Sequence, residues 1–221
     1  MYYGDLIKSW EGSGLLKLCM DDMFKMLDIS ERMFEAAWEM ITGTGEITDL
    51  YKMDKQLNEL QIAIRRRILE HMAINPGQDI NASFVLGVLV IDLERIGDYA
   101  KNFDDIARHY PEPISGGVFD TLHAMAKRVK LMFDETRNAL VKNDSKLARK
   151  VMQEQADMAK EADRFMDQLM ESSDLTVKQG IVAAMLTRYI KRVSAHLKNV
   201  VSSVVNPYHR IGYRPHEKED D

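Results

Sequence analysis

SFVLGVLVIDLERIGDYAKN, residues Ser83 to Asn102, decides what kind of chain this is. It begins uncharged, from Ser83 to Ile91, and then fills with acids and bases while one apolar stripe continues. On a helix, Leu86, Leu89, Val90, Leu93, Gly97 and Ala100 share one side at steps of three and four. A strand could hold the uncharged run alone, but the periodic flanks extend well past strand length. Glu94 and Asp98 stand one turn apart at the edge of the stripe. Such a pair suits a hard cation or a basic partner, or is ordinary solvated surface.

Outward from this stretch the chain is punctuated sparingly. Five prolines and twelve glycines interrupt 221 residues, mostly in short clusters, so long periodic segments dominate and the expected class is all-α. The spacing predicts six long helices, over about 15–41, 47–74, 79–110, 117–141, 146–171 and 174–206. Thr42–Gly45, Asn75–Gly77 and Pro111–Pro113 break them, and Ser172–Asp174 offers capping side chains to the last. Residues 1–14 read as a loose start limited by Gly12 and Gly14. Short connections between such helices imply antiparallel neighbours.

The second half restates the first. At a shift of 97 positions Leu89, Arg95, Lys101 and Asn102 meet Leu186, Arg192, Lys198 and Asn199, and Met33-Phe34-Glu35 returns as Met132-Phe133-Asp134. Two tandem three-helix bundles follow, residues 1–112 and 113–207, with 208–221 as a disordered acidic tail. The apolar run at Phe84–Ile91 is wider than one bundle face needs, so its helix is expected to touch the other bundle or a second subunit.

Composition narrows function. Hydrophobic residues at 45% and charged ones at 29% describe a globular protein, and the net charge of −5 argues against nucleic-acid binding. One cysteine, Cys19, fits a cytoplasmic location and a place in the core. Met1–Trp10 has no basic region followed by an apolar core, so no secretory signal is expected. The fifteen methionines suit a helical core, with a Met-rich partner surface as the alternative. Walker A, dinucleotide and GxSxG patterns are absent, as are helix-borne Glu-x-x-His pairs, which points away from an enzyme. Arg65-Arg66-Arg67 reads as a solvated face beside Glu59 and Glu70, or as a dock for an acidic partner or membrane surface.

A second i,i+4 pair, Asp54 and Asn58, lies on the neighbouring helix and could face Glu94 and Asp98. Four oxygen donors would suit Mg²⁺, Mn²⁺, Ca²⁺ or iron better than Zn²⁺. Arg95 and Lys101 are equally available as salt-bridge partners for the acids. In the second half Lys191 and Ala195 stand where Glu94 and Asp98 would be, so any acidic site belongs to the first bundle.

DLERIGDYAKN resembles the recurrent helix signature of the PhoU family, bacterial regulators of phosphate uptake. The resemblance spans about Leu15 to Val205. It implies a spectrin-repeat-like fold and metal ions, divalent or iron-type, held by surface carboxylates. Carried over, Glu94 and Asp98 match the motif of the third predicted helix, Asp54 matches the acidic position of the second, and Asn58 stands where the family usually has Asp. The resemblance further implies a non-enzymatic regulator that contacts a phosphate transporter subunit or a sensor histidine kinase, as a homodimer reaching the membrane only through partners. The competing classes are a metal-storage or metal-dependent hydrolytic bundle and a purely structural helical scaffold.

Overall fold

The structure, a computed structural model, describes residues 3–46, 48–110, 112 and 114–214. Its helices are α1 (Tyr3–Gly12), α2 (Gly14–Thr42), α3 (Leu50–Ile74), α4 (Ile80–His109), α5 (Phe119–Lys142), α6 (Ser145–Glu171) and α7 (Val177–Ser202), with a short 3₁₀ turn at Tyr208–Arg210. No strand occurs among the described residues. The six expected helices are α2 to α7, forming two three-helix bundles, α2–α3–α4 and α5–α6–α7.

Local chemistry explains most of the boundaries. Ser13 caps α2 by accepting from Leu16 N, and Gly43 ends it in the left-handed conformation, which costs a residue without Cβ little. Asp49 caps α3 and Asp144 caps α6. The cap of α7 is Thr176, which forms a reciprocal capping box with Gln179. Ser172–Asp174, expected in that role, lies just upstream: Thr176 prevails because Gln179 sits three residues on and returns the bond.

Two expectations about the ends are corrected. Residues 3–12 are not loose but form α1, whose Tyr3, Leu6 and Trp10 are buried. Trp10 Nε1 donates to Ala82 O at 3.1 Å, which fastens α1 to the start of α4. A polar stitch completes the attachment: Ser13 Oγ and His71 Nδ1 hydrogen-bond at 3.1 Å, His71 Nε2 lies 3.2 Å from Asp79 Oδ2, and Ser9 donates to Asp79. At the other end, residues 208–214 fold back rather than forming a disordered tail. Asn206 Nδ2 donates to Arg210 O and Tyr213 O, both at 2.9 Å, and Tyr208 stacks on Phe84. Residues 215–221 of that expected tail lie outside the described residues.

One core runs through both bundles. Helix α4 is its axis, packing against α2, α3 and α7 at once, and α2 also meets α5. That triple packing is why the Phe84–Ile91 run is broadly apolar: Val85, Leu86, Leu89 and Val90 are buried, while Phe84 and Ile91 face outward. Phe34, Phe103, Phe133 and Tyr189 form an aromatic chain from one bundle to the other, with ring centroids 5.8–5.9 Å apart. Met23, Met26, Met33, Met125, Met132 and Met158 are all buried, the core role expected of the methionines. Cys19 is buried as well, its thiol 3.7 Å from Ile64 O, and burial pushes that thiol up to about 11.

The repeat is visible in the joint between the bundles. Asp92 of α4 accepts from His196 Nδ1 of α7 at 2.7 Å, and Tyr99 stacks beside Tyr189 at 5.9 Å. Position 189 is the repeat equivalent of 92, and 196 that of 99, so these are one contact made twice. Tyr99 and His196, themselves equivalent, touch at 5.7 Å. Helices α4 and α7 therefore cross about a local pseudo-twofold.

Candidate functional site

The acidic cluster is assembled where α3 and α4 run antiparallel, and one glycine sets their approach. A Cβ on Gly97 would stand 2.5 Å from Leu57 Cδ1 and 3.5 Å from Met33 Sδ, inside a buried contact. Gly97 thus lets Leu57 seat against α4, and this brings Asp54, one turn before Leu57, level with the end of the Glu94–Asp98 pair.

The four residues singled out from sequence do converge, and Lys101 stands among them. Its ammonium lies 2.9 Å from Asp54 Oδ1 on α3 and 3.0 Å from Asp98 Oδ1 on its own helix. Asn58 Nδ2 donates to the other oxygen of Asp54 at 3.2 Å. Arg95 Nη1 reaches 3.6 Å from Asp98 Oδ2, and Arg95 Nε is 4.0 Å from Glu94 Oε2. Partial burial lifts Glu94 above the usual carboxylate range, and the charges of Asp98 and Asp54 add to the rise against Arg95 and Lys101. For Lys101, desolvation acts to lower the amine, but hydrogen bonds and charge from Asp54 and Asp98 outweigh it and raise the amine above its ordinary value. A surface cleft of about 410 Å³, lined by Tyr51, Arg95, Asp98, Tyr99 and Lys101 among others, opens beside the cluster.

As arranged, these donors do not fit a metal ion. Among the described residues no three His, Cys, Asp or Glu side chains gather to hold one. The Asp54 and Asp98 oxygens that would have to turn to a metal face an ammonium instead. Asn58 donates its NH₂ to Asp54 and so occupies the second oxygen of that carboxylate.

In the second bundle the equivalent positions are differently used. Lys191 pairs with Asp163 on α6, and Lys198, the repeat partner of Lys101, donates to Gly212 O in the folded-back C-terminal segment. Burial pulls the Lys198 amine below its ordinary value, with only partial compensation from the charge of Asp92.

Sequence reading missed the polar joint. Asp92 is buried and also accepts from Asn199 Nδ2 at 2.9 Å, so one carboxylate holds two side chains of α7. The available signal was an acid between Ile91 and Leu93 in an apolar run, a place that requires a partner. His196 is that partner. In the Arg65–Arg67 run, Arg66 reaches Glu70 at 3.7 Å as a solvated pair, while Arg67 crosses to Asp22 on α2. Desolvation would raise the Asp22 carboxyl, yet Lys25 and Arg67 overcome it and hold it below its usual range.

Two tandem three-helix bundles sharing one core, with an acid cluster where the signature helix of the first meets its neighbour, define a class of all-helical tandem-repeat proteins. The family model of the PhoU domain matches residues 23–106 and again residues 122–204, one copy for each bundle. The chain belongs to the PhoU family. It is 26% identical over 200 residues to a protein of Synechocystis described as a phosphate-specific transport system accessory protein PhoU homolog, covering 86% of this chain and 87% of that one. An Aquifex aeolicus protein with the same description is 24% identical over 137 residues, 60% of this chain and 62% of its own. The crystal structure of PhoU from Pseudomonas aeruginosa shares the fold, with a TM-score of 0.76 at 20% identity over 86% of this chain and 95% of that one.

Proposed function

We propose that this chain is a non-enzymatic, cytoplasmic regulator of phosphate uptake, acting as a homodimer through contacts with a phosphate transporter subunit or a phosphate-responsive sensor histidine kinase. The observation that carries this reading is the pair of PhoU-domain matches, joined to curated relatives described as phosphate-specific transport system accessory proteins. The fold supports it physically. Bundles locked by one core present long, pre-shaped helix faces, and rigid faces lose little entropy on docking. No described helix is long and apolar enough to cross a membrane, so on this reading the membrane is reached through a partner.

The test is capture of the tagged full chain from phosphate-replete cells, with phosphate uptake measured in a strain lacking the protein. Recovery of transporter or kinase subunits, with uptake raised in the deletion strain, is the expected result. Failure to recover either, with uptake unchanged, would overturn the reading. Phosphate-releasing turnover by the purified chain, lost in Asp54→Asn with Asp98→Asn, would favour the hydrolytic alternative.

A further inference from the structure

We propose that the acidic cluster of the first bundle is a cation site filled by the chain itself: the Lys101 ammonium stands where a metal ion would stand, and this bundle binds none.

Each acid there already has a cationic side chain within 4.0 Å. Asp54 Oδ1 lies 2.9 Å from the Lys101 ammonium as an ion pair and is otherwise buried without a hydrogen-bond partner, while Oδ2 accepts from the Asn58 amide. Asp98 meets Lys101 through Oδ1 and Arg95 through Oδ2, and Glu94 has Arg95 beside it. The two bases offset two of the three acid charges, which weakens the field left for a divalent ion.

Geometry excludes joint occupancy. Nζ keeps its two carboxylate oxygens at 2.9 and 3.0 Å, whereas Mg²⁺ or Ca²⁺ would draw them to about 2.0–2.6 Å and set its double charge against the ammonium. Lys101 is suited to stay. It lies three residues after Asp98, so its stem runs along α4, and its side chain is only 22% exposed. The tethered cation also does mechanical work, linking α3 to α4 at the level where a bridging ion would do so.

The cluster should therefore become a metal site when the ammonium is removed. The experiment titrates the full chain with Mn²⁺, removes free ion by desalting and measures retained manganese by elemental analysis. Wild type should retain almost none. Lys101→Met should retain about one equivalent and bind at least roughly tenfold more tightly than wild type. Adding Asp54→Asn and Asp98→Asn to that variant should abolish retention. Manganese held by wild type and lost with Asp54→Asn alone would overturn the proposal. So would a Lys101→Met protein that melts cooperatively, keeps its helical circular dichroism and still takes up no Mn²⁺. If Lys101→Met does not fold, Lys101→Gln is measured in the same way, and the wild-type arm stands without any variant. The proposal is independent of the regulatory role, since retained metal is read without transporter or kinase.

Discussion

Lys101 and Lys198 hold the same place in two copies of one helix, and their surroundings drive their amines in opposite directions. In the first bundle, Asp54 and Asp98 receive the ammonium and raise it. In the second bundle, burial pulls it down and the nearest offered acceptor is a backbone carbonyl, Gly212 O. The helix frame is common to both, so the difference comes from neighbours alone. One bundle uses the lysine to join α3 to α4, and the other uses it to hold the returning C-terminal segment. A tandem repeat thus keeps its packing positions and reassigns its polar ones.

The largest expected effect breaks the asymmetry at its most visible point, since α1 precedes the first bundle and has no counterpart among the described residues before the second. Trp10→Ala removes a fully buried indole and its bond to Ala82 O, and should cost about 3–5 kcal/mol in urea unfolding. Next comes an exchange of repeat residues. Gly97→Ser installs the side chain of its equivalent, Ser194, but its Cβ meets Leu57 at 2.5 Å, so a loss of about 1–3 kcal/mol is expected by thermal melting. Ser194 can exist in α7 because its hydroxyl turns back to Lys191 O at 2.8 Å.

The lysines provide the finer tests. A raised amine binds its proton more tightly in the folded state, so the stability it contributes is complete below its unfolded value of about 10.4 and fades as pH rises through the folded value. The stability gap between wild type and Lys101→Met should therefore narrow when denaturant melts are repeated at increasing alkaline pH. Lys198 behaves in the reverse sense. Its folded state binds the proton less tightly, so the cost of charging it is removed as pH rises from its folded value towards the unfolded one. In the same series, wild type should gain on Lys198→Met over that interval. Parallel slopes for the two variants would dissolve the contrast.

How much of this was legible follows from what each feature depends on. Apolar stripes at helical steps are properties of a single helix, so α2 to α7 could be read directly. Helix α1 could not, because Gly12 and Gly14 obscure a segment only ten residues long whose order comes from Trp10 docking on α4. At the site, Glu94, Asp98 and Lys101 share one helix, and their spacing is enough to group them. That Asp54 joins them depends on the rotation of α3 against α4, which Leu57 packing on Gly97 sets across space. The pairing of Asp92 with His196 spans 104 residues, a partnership no local pattern discloses.

That span has a consequence for synthesis. The α4 face that will receive α7 is complete once residue 109 has emerged, yet α7 is finished only at residue 202. At ribosomal rates of about 5–20 residues per second, the nascent chain carries an uncovered apolar helix and a half-made polar joint for roughly 5–20 seconds. During that interval Asp92 lacks both of its α7 partners, so the joint closes only when His196 and Asn199 arrive.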